Sequence, residues 1–256
     1  MILLGRGGFI ERWLKLALRK GDALAQPRAK AANASNIAQY FGLLEETLNK
    51  FNIFNSPSRI YNMDESGMPL DHKPPKVVVP KGTKKVHCRT SGNKPQITVL
   101  ACANAAGSVI PPMVIFEGKR LNAEWTKGEV PNTLYGMSDK GWTDMELFKH
   151  WMTDHFIPNI PPARPVMLLL DGHSSHYEPD TIKLAVQEGI IVFCLPPHTT
   201  HISQPLDISF FRPLKVYWYD TCRKYIHDHP GRVITKYQFS SLFSTAWYIK
   251  PSNLKH

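Results

Sequence analysis

The stretch Val166-Met-Leu-Leu-Leu-Asp-Gly-His-Ser-Ser-His176 decides the fold class. Its unbroken apolar run from Val166 to Leu170 has the length of a strand that is buried on both faces of a sheet. An aspartate at the end of such a strand is costly unless it is paired or holds a cation. Sheet carboxyl ends are also where α/β folds build their sites. The stretch therefore predicts an α/β fold with a functional site near Asp171.

The elements predicted on either side fit the same class. The predicted strands are Arg59–Met63, Gln96–Ala103, Val109–Phe116, Pro165–Leu170 and Ile190–Leu195, and the predicted helices are one within residues 9–18, then Asn33–Asn49, Asp144–Phe156, Pro179–Glu188 and Ser203–Tyr225. Gly118–Gly141 carries turn residues and little periodicity, so it is interpreted as a long connection. The order predicts a mixed sheet with helices on its faces, preceded by a helical segment over residues 1–56.

The composition is that of a globular protein, with 43% hydrophobic and 20% charged residues in a chain of 256. Its longest apolar runs fall far short of the ~20 residues that a membrane-spanning helix needs, so no membrane partner is expected. The start of the chain is too short in apolar residues for a signal peptide, which favours a reducing compartment. The four cysteines form no Cys-x-x-Cys pair, which disfavours a zinc cage or a disulfide framework.

Charge is unevenly distributed along a chain whose net charge is +10. Residues 1–30 carry seven basic and two acidic side chains, and residues 71–94 carry seven and one, whereas residues 139–188 carry four and eight. This layout suits a polyanion that lies across basic flanks around a more acidic centre. The run Lys81, Lys84, Lys85 and Arg89 is the candidate for contacts with DNA phosphates, and a solvated hairpin is the alternative.

Three aspartates are candidate metal ligands. Asp64 is expected at the carboxyl end of the first strand, Asp171 ends the buried strand, and Asp207 lies near the start of the last long helix. Their hard oxygen atoms suit Mg²⁺ or Mn²⁺ better than zinc. Two such ions about 3.5–4 Å apart can activate an attacking oxygen and stabilise the leaving oxygen during displacement at phosphorus.

Histidines near two of these aspartates offer an alternative chemistry. His173, His176, His198 and His201 form two His-x-x-His pairs, which with Asp171 are compatible with the zinc site of a hydrolase. Histidines that support the metal ligands or contact DNA are the simpler interpretation, above all His173 and His176.

Several words of the sequence, taken in their order along the chain, resemble one family of proteins. The words are Gly8-Phe-Ile-Glu-Arg12, Arg19-Lys-Gly21, Arg28-Ala-Lys30, Ile60-Tyr-Asn-Met-Asp-Glu-Ser-Gly67, Lys94-Pro-Gln-Ile-Thr98, Asp171-Gly-His-Ser-Ser-His176, Leu195-Pro-Pro-His-Thr-Thr200 and Gln204-Pro-Leu-Asp207. The chain resembles the catalytic domain of DDE-type transposases in the pogo, Tigger and jerky-like branch of the mariner superfamily, which includes centromere protein B.

The resemblance implies a ribonuclease-H-like fold with Asp64, Asp171 and Asp207 as the catalytic and metal-binding triad. It also implies two Mg²⁺ or Mn²⁺ ions, DNA as the partner and a nuclear location, and it leaves a homo-oligomer open. The expected division is a linker over 1–56 that follows a helix-turn-helix region in the family, an endonuclease domain over 57–226 and a tail over 227–256. A domesticated, non-catalytic DNA-binding or regulatory protein is the rival function.

Overall fold

The computed structural model of the chain describes residues 33–71, 78, 80, 81, 96–173 and 178–249. Its strands are β1 (Ile60–Pro69), β2 (Gln96–Asn104), β3 (Met113–Glu117), β4 (Leu134–Ser138), β5 (Val166–Leu170) and β6 (Ile190–Cys194). Its helices are α1 (Ala34–Lys50), α2 (Met145–Trp151), α3 (Pro179–Gln187), α4 (Thr200–Ser203), α5 (Arg212–Asp228) and α6 (Lys236–Ile249). The helix predicted within residues 9–18 lies outside the described residues.

The six strands form one mixed sheet in the order β4-β3-β2-β1-β5-β6. Strand β2 is antiparallel to both β1 and β3, whereas the pairs β1–β5, β5–β6 and β3–β4 are parallel. Helices cover both faces, so the α/β class and the mixed sheet are confirmed.

One face of the sheet packs against α2 and α3. Phe148 and Trp151 of α2 are buried there against alternate strand residues such as Tyr61, Met63 and Leu168. Helix α2 begins where the Asp144 carboxylate accepts a hydrogen bond from Leu147 N–H at 2.9 Å, which caps its first turn. It continues through a π-helical turn, Met152–Phe156, and a last turn, Ile157–Asn159.

The opposite face packs against α1, α5 and α6. Helix α1 covers the β5–β6 side, where the ring of Tyr40 lies 5.6 Å from that of Phe193. Helices α5 and α6 cover the β1–β4 side with a cluster of aromatic rings, hereafter the aromatic core. Its buried members are Phe116, Phe210, Phe211, Trp218, Phe239, Phe243 and Trp247.

Three predicted boundaries are wrong, because β3 begins at Met113 rather than at Val109 and two further stretches that contain a glycine belong to strands. Strand β1 continues to Pro69, and the end of the flexible Gln96 side chain occupies the space where a Cβ on Gly67 would lie. The stretch predicted as a long connection contains β4, in which a Cβ on Gly136 would lie 2.7 Å from Met113 Cε. In both places glycine makes room for a neighbouring side chain within the sheet.

The predicted last helix and the expected tail also differ from the structure. Instead of one helix from Ser203, there is the short α4, a π-helical turn at Asp207–Phe211, and α5, with Pro213 in its first turn. Within the range assigned to the tail, α6 packs along α5 and buries Phe239 and Phe243. The aromatic side chains of α6 complete the core on this face.

Candidate active site at the ends of β1 and β5

The strand register brings two of the three predicted aspartates together. Strands β1 and β5 pair in parallel from Ile60 with Met167 to Asn62 with Leu169. Continued by two residues, this register sets Asp171 beside Asp64, and neighbouring strands lie roughly 4.8 Å apart. Asp64 thus lies within the longer β1, but at the level where β5 ends. Both carboxylates line one cavity of about 280 Å³.

The electrostatics connect the third aspartate with these two. Burial, followed by the charge of Asp207 and to a smaller extent that of Asp171, raises the pKa of Asp64 from 3.8 to about 7. A hydrogen bond from the Glu65 backbone acts in the opposite direction. Because like charges this close disfavour one another's ionisation, the three predicted carboxylates form one electrostatic unit, hereafter the acid edge.

A buried asparagine ties together the three segments that carry the acids. Asn62 is 6% exposed and precedes Asp64 by two residues, so both side chains lie on the same face of β1. Its Oδ1 accepts a hydrogen bond from Leu206 N–H at 3.2 Å, next to Asp207. Its Nδ2 donates to the carbonyl of Leu169 at 3.0 Å, two residues before Asp171. One amide therefore sets the spacing of all three segments.

The two remaining acids differ in exposure. Asp171 is half-buried, and its Oδ1 accepts a hydrogen bond from the backbone N–H of His173 at 3.1 Å, which bends the chain as it leaves β5. Asp207 is exposed at the first position of the π-helical turn. A cation at the acid edge would thus be reachable from solvent on the Asp207 side.

The structure places only some of the other predicted site residues. His173 is exposed and lines the same cavity as Asp64 and Asp171, whereas His176 lies outside the described residues. Lys81 is exposed, but Lys84, Lys85 and Arg89 also lie outside the described part of the chain. Within that part, no group of three His, Cys, Asp or Glu side chains is already arranged to hold a metal ion.

Sequence reasoning missed three residues of this site. Asn62 has a detectable signal, since a polar residue two positions before Asp64 must share its face of the strand. Trp142 and Thr143 line the cavity from the segment before α2. Nothing in the sequence indicates their place, because it depends on contacts with strands distant along the chain.

Comparison with known proteins identifies the family. Residues 94–247 match the family model described as DDE superfamily endonuclease. The chain belongs to this family. The matched range includes Asp171 and Asp207, and Asp64 lies before it. It also runs into α6, in agreement with the packing of that helix against the rest of the domain.

Curated relatives support the membership. The Jerky protein of Mus musculus is 26% identical over 212 residues, which are 78% of this chain and 36% of that protein. The Jerky protein homolog of Homo sapiens is 29% identical over 167 residues, or 59% of this chain and 28% of that protein. The chain spans only about a third or less of the length of these relatives.

A third relative carries a name from another class of protein. The protein named MFS-type transporter clz9, from Cochliobolus lunatus, is 30% identical over 195 residues, which cover 73% of this chain but 21% of that protein. Among the described residues of the present chain, no helix is long and apolar enough to cross a membrane.

Comparison with solved structures confirms that this chain has the ribonuclease-H-like fold of the Mos1 transposase. The crystal structure of the mariner Mos1 paired end complex with Mg matches 95% of this chain and 66% of that chain, with a TM-score of 0.56 and 11% identity. The corresponding complex with Mn gives the same values. At this identity the likeness concerns the fold alone.

Proposed function

We propose that this chain is the catalytic part of a metal-dependent DNA endonuclease or strand transferase that uses Asp64, Asp171 and Asp207. The observation that carries the proposal is that Asp64 and Asp171 line one cavity, while Asn62 bonds to the segments that carry Asp171 and Asp207. A fold that gathers carboxylates at the end of its central strands creates a negative site that favours a cation.

The residues at the acid edge fit a divalent cation of the magnesium type. Carboxylate oxygens are the ligands that Mg²⁺ and Mn²⁺ prefer, and thiolates are absent from the described lining of this cavity. The solved Mos1 complexes with Mg and with Mn support this choice of metal for the family. Two bound ions would supply a polarised nucleophile and stabilise the charge on the leaving oxygen at phosphorus.

The chain's own side chains would act by binding and positioning. Asp64 must lose its proton to serve as a ligand, and a cation would favour that loss. Asn62 holds the segments of Asp171 and Asp207 at fixed positions relative to β1 through its two hydrogen bonds. The His173 backbone N–H orients the Asp171 carboxylate.

DNA is the proposed substrate and partner, and the nucleus is the proposed location. The net charge of +10, the exposed Lys81 and the basic composition of residues 1–30 and 71–94 support attraction to phosphates. Affinity for duplex DNA should fall steeply as the salt concentration rises, because counterions are released on binding. The solved Mos1 transposase paired-end complex with the left transposon end is consistent with this partner.

The test is magnesium-dependent nicking of supercoiled DNA by the wild type and by Asp171→Asn. The substitution keeps the shape of the side chain and removes one charge, so nicking should fall by at least about 100-fold while salt-sensitive DNA binding persists. Asp180→Asn is a matched control, because that carboxylate is exposed in the first turn of α3 and pairs with Lys183. The assay is repeated with Mn²⁺, which tolerates looser geometry.

Two results would contradict the proposal. Nicking by Asp171→Asn at the wild-type rate would show that another site performs the chemistry. No nicking by the wild type with either metal would favour the non-catalytic DNA-binding protein.

A further inference from the structure

The first two turns of α1 carry an exposed apolar face. Ala34, Ile37, Ala38 and Phe41 are spaced at i, i+3, i+4 and i+7, so their side chains lie on one side of the helix. Ala34 and Ala38 are exposed, Ile37 is half-buried, and Phe41 is 56% exposed. Residues 34–41 include no charged side chain. This surface, hereafter the α1 face, is therefore apolar and open to solvent in the described part of the chain.

The second half of α1 is held much more firmly than the first. Leu44 and Leu48 pack against Met167 and Leu169 of β5. In the first half, between residues 34 and 41, Tyr40 alone is buried. Short stretches of helix are marginally stable in water, and most of the stability of a helix in a protein comes from packing its apolar face. Among the described residues, the first half of α1 lacks the packing that stabilises the second.

The chain itself contains a segment whose sequence pattern matches this face. Residues 1–32 lie outside the described part and lead directly into α1. Within them, a helix over residues 9–18 would be strongly amphipathic, and such a helix needs a partner for its apolar side. The charged side chains Glu11, Arg12 and Lys15 fall on one side, and the other side carries Phe9, Ile10, Trp13, Leu14 and Ala17, with Leu16 and Leu18 at its margins.

Length and charge both allow this segment to reach the α1 face. A ten-residue helix is about 15 Å long, and residues 34–41 span about 12 Å. The connecting residues 19–32 can span up to about 46 Å, and Gly21 and Pro27 within them disfavour one continuous helix into α1. Residues 9–20 carry four basic and one acidic side chain, a net of +3, whereas α1 carries one basic and two acidic, a net of −1. The two surfaces therefore attract each other.

We propose that residues 9–18 form a helix that packs its apolar side against the α1 face of the same chain. In an antiparallel arrangement the middle of the segment, at Trp13, lies over Ile37 and Ala38, and the small alanine permits a close approach. The charged side chains of the segment then face solvent as a basic row beside the domain. On the proposed function that row contacts DNA phosphates, but the packing itself does not depend on it.

Hydrogen–deuterium exchange of the full chain, read by mass spectrometry without DNA or metal, follows both partners at once. In the wild type, the amides of residues 9–18 should exchange at least about tenfold more slowly than in a free peptide of the same sequence. Phe41→Ser should speed exchange in residues 9–18 about tenfold, because it removes the surface on which they pack. Trp13→Ser should speed exchange in residues 34–41 in the same way.

Leu43→Ser and Lys15→Ser are the matched controls. Leu43 is 51% exposed on the same helix but about 200° around it from Phe41, and Lys15 lies on the charged side of the segment. Neither control should change exchange in the other partner by more than about twofold. Thermal unfolding verifies that each variant is folded. Phe41→Ser should lower the Tm by about 2–4 °C, and adding Trp13→Ser should lower it little further, because both remove the same contact.

Several results would overturn the packing of this segment on α1. Exchange of residues 9–18 at the rate of the free peptide, or equal effects of Phe41→Ser and Leu43→Ser on these residues, would show that the α1 face does not hold them. Protection that grows with protein concentration would assign the face to a second copy of the chain, and protection that appears only after DNA is added would assign the segment to DNA. Because no cleavage is read, the result is independent of the proposed catalysis.

Discussion

The acid edge and the aromatic core lie on the same face of the sheet, yet they are built in opposite ways. In the aromatic core, Phe239 is fully buried, and its ring lies 5.3 Å from that of Trp218. At the acid edge, burial and neighbouring carboxylates disfavour the charged form of Asp64. Strand β1 thus passes from a region that supplies stability, around Met68, to one in which gathered carboxylates lower stability.

Removing volume from the aromatic core should have the largest effect on stability. Phe239→Ala is expected to lower the free energy of unfolding by about 3–5 kcal/mol, because it deletes a fully buried ring and leaves a cavity. Urea denaturation measures this loss. The Mn²⁺ affinity of the folded variant should stay unchanged. A loss of unfolding free energy below about 1 kcal/mol would contradict the stabilising role of the aromatic core.

Removing a charge from the acid edge should instead raise the free energy of unfolding. Because the pKa of Asp64 rises from 3.8 in the unfolded chain to about 7, the folded chain binds more protons between these pH values. Stability in metal-free buffer should therefore fall as the pH rises from about 4 to about 7 and then level off. Asp64→Asn should remove this fall and raise the free energy of unfolding at pH 8 by up to about 4 kcal/mol.

Thermal and urea unfolding at pH 4.5 and pH 8 check this sign, with Asp180→Asn as the exposed control. Mn²⁺ affinity of the wild type should increase between pH 6 and pH 8, because the cation competes with a proton for Asp64. Destabilisation by Asp64→Asn at pH 8 would show that this carboxylate is stabilised by its surroundings.

Two buried asparagines, Asn62 and Asn104, differ in the segments that they hold together. Asn62 bonds to the segments that carry Asp171 and Asp207, whereas Asn104 bonds to the Ser58 carbonyl and accepts from Ser108 N–H, in the hairpin after β2. Asn62→Ala leaves buried backbone groups unpaired and Asn104→Ala leaves partly buried ones, so each change should cost about 1–3 kcal/mol of stability.

Only Asn62→Ala should also weaken Mn²⁺ binding, by about tenfold, because the segments that carry the carboxylates are then no longer held at a fixed distance from one another. Calorimetric titration of the two folded variants separates positioning from simple stabilisation. Equal Mn²⁺ affinities of Asn62→Ala and Asn104→Ala would show that Asn62 stabilises the fold but does not position the carboxylates.

The sequence alone predicts the strands and helices whose residue pattern is contained within the element itself. Strands β5 and β6 are continuous apolar runs, and the predicted helices at α1 and α3 differ from the observed ones by a residue at one or both ends. The class of fold and the three aspartates follow from where acids fall relative to these runs and from the resemblance to DDE transposases. The family and the fold are confirmed, while the roles of the three acids stay predictions.

The features that were missed depend on contacts far apart in the chain. Gly67 and Gly136 look like breaks, but each accommodates a side chain from a neighbouring element. Thr143 lies beside the cavity because Thr98, which is distant along the chain, donates a hydrogen bond to the carbonyl of Gly141, two residues before Thr143. Such positions are set by packing across the sheet and leave no periodic signal.

Anomalous diffraction from crystals soaked in Mn²⁺ at pH 8 would show directly whether the three aspartates share a metal site. We expect an anomalous peak within about 2.5 Å of carboxylate oxygens of both Asp64 and Asp171, with a second peak toward Asp207 about 3.5–4 Å away. The same soak of Asp171→Asn crystals should lose or weaken both peaks. Mn²⁺ bound only at another site, or none at this edge in the wild type, would contradict a shared metal site.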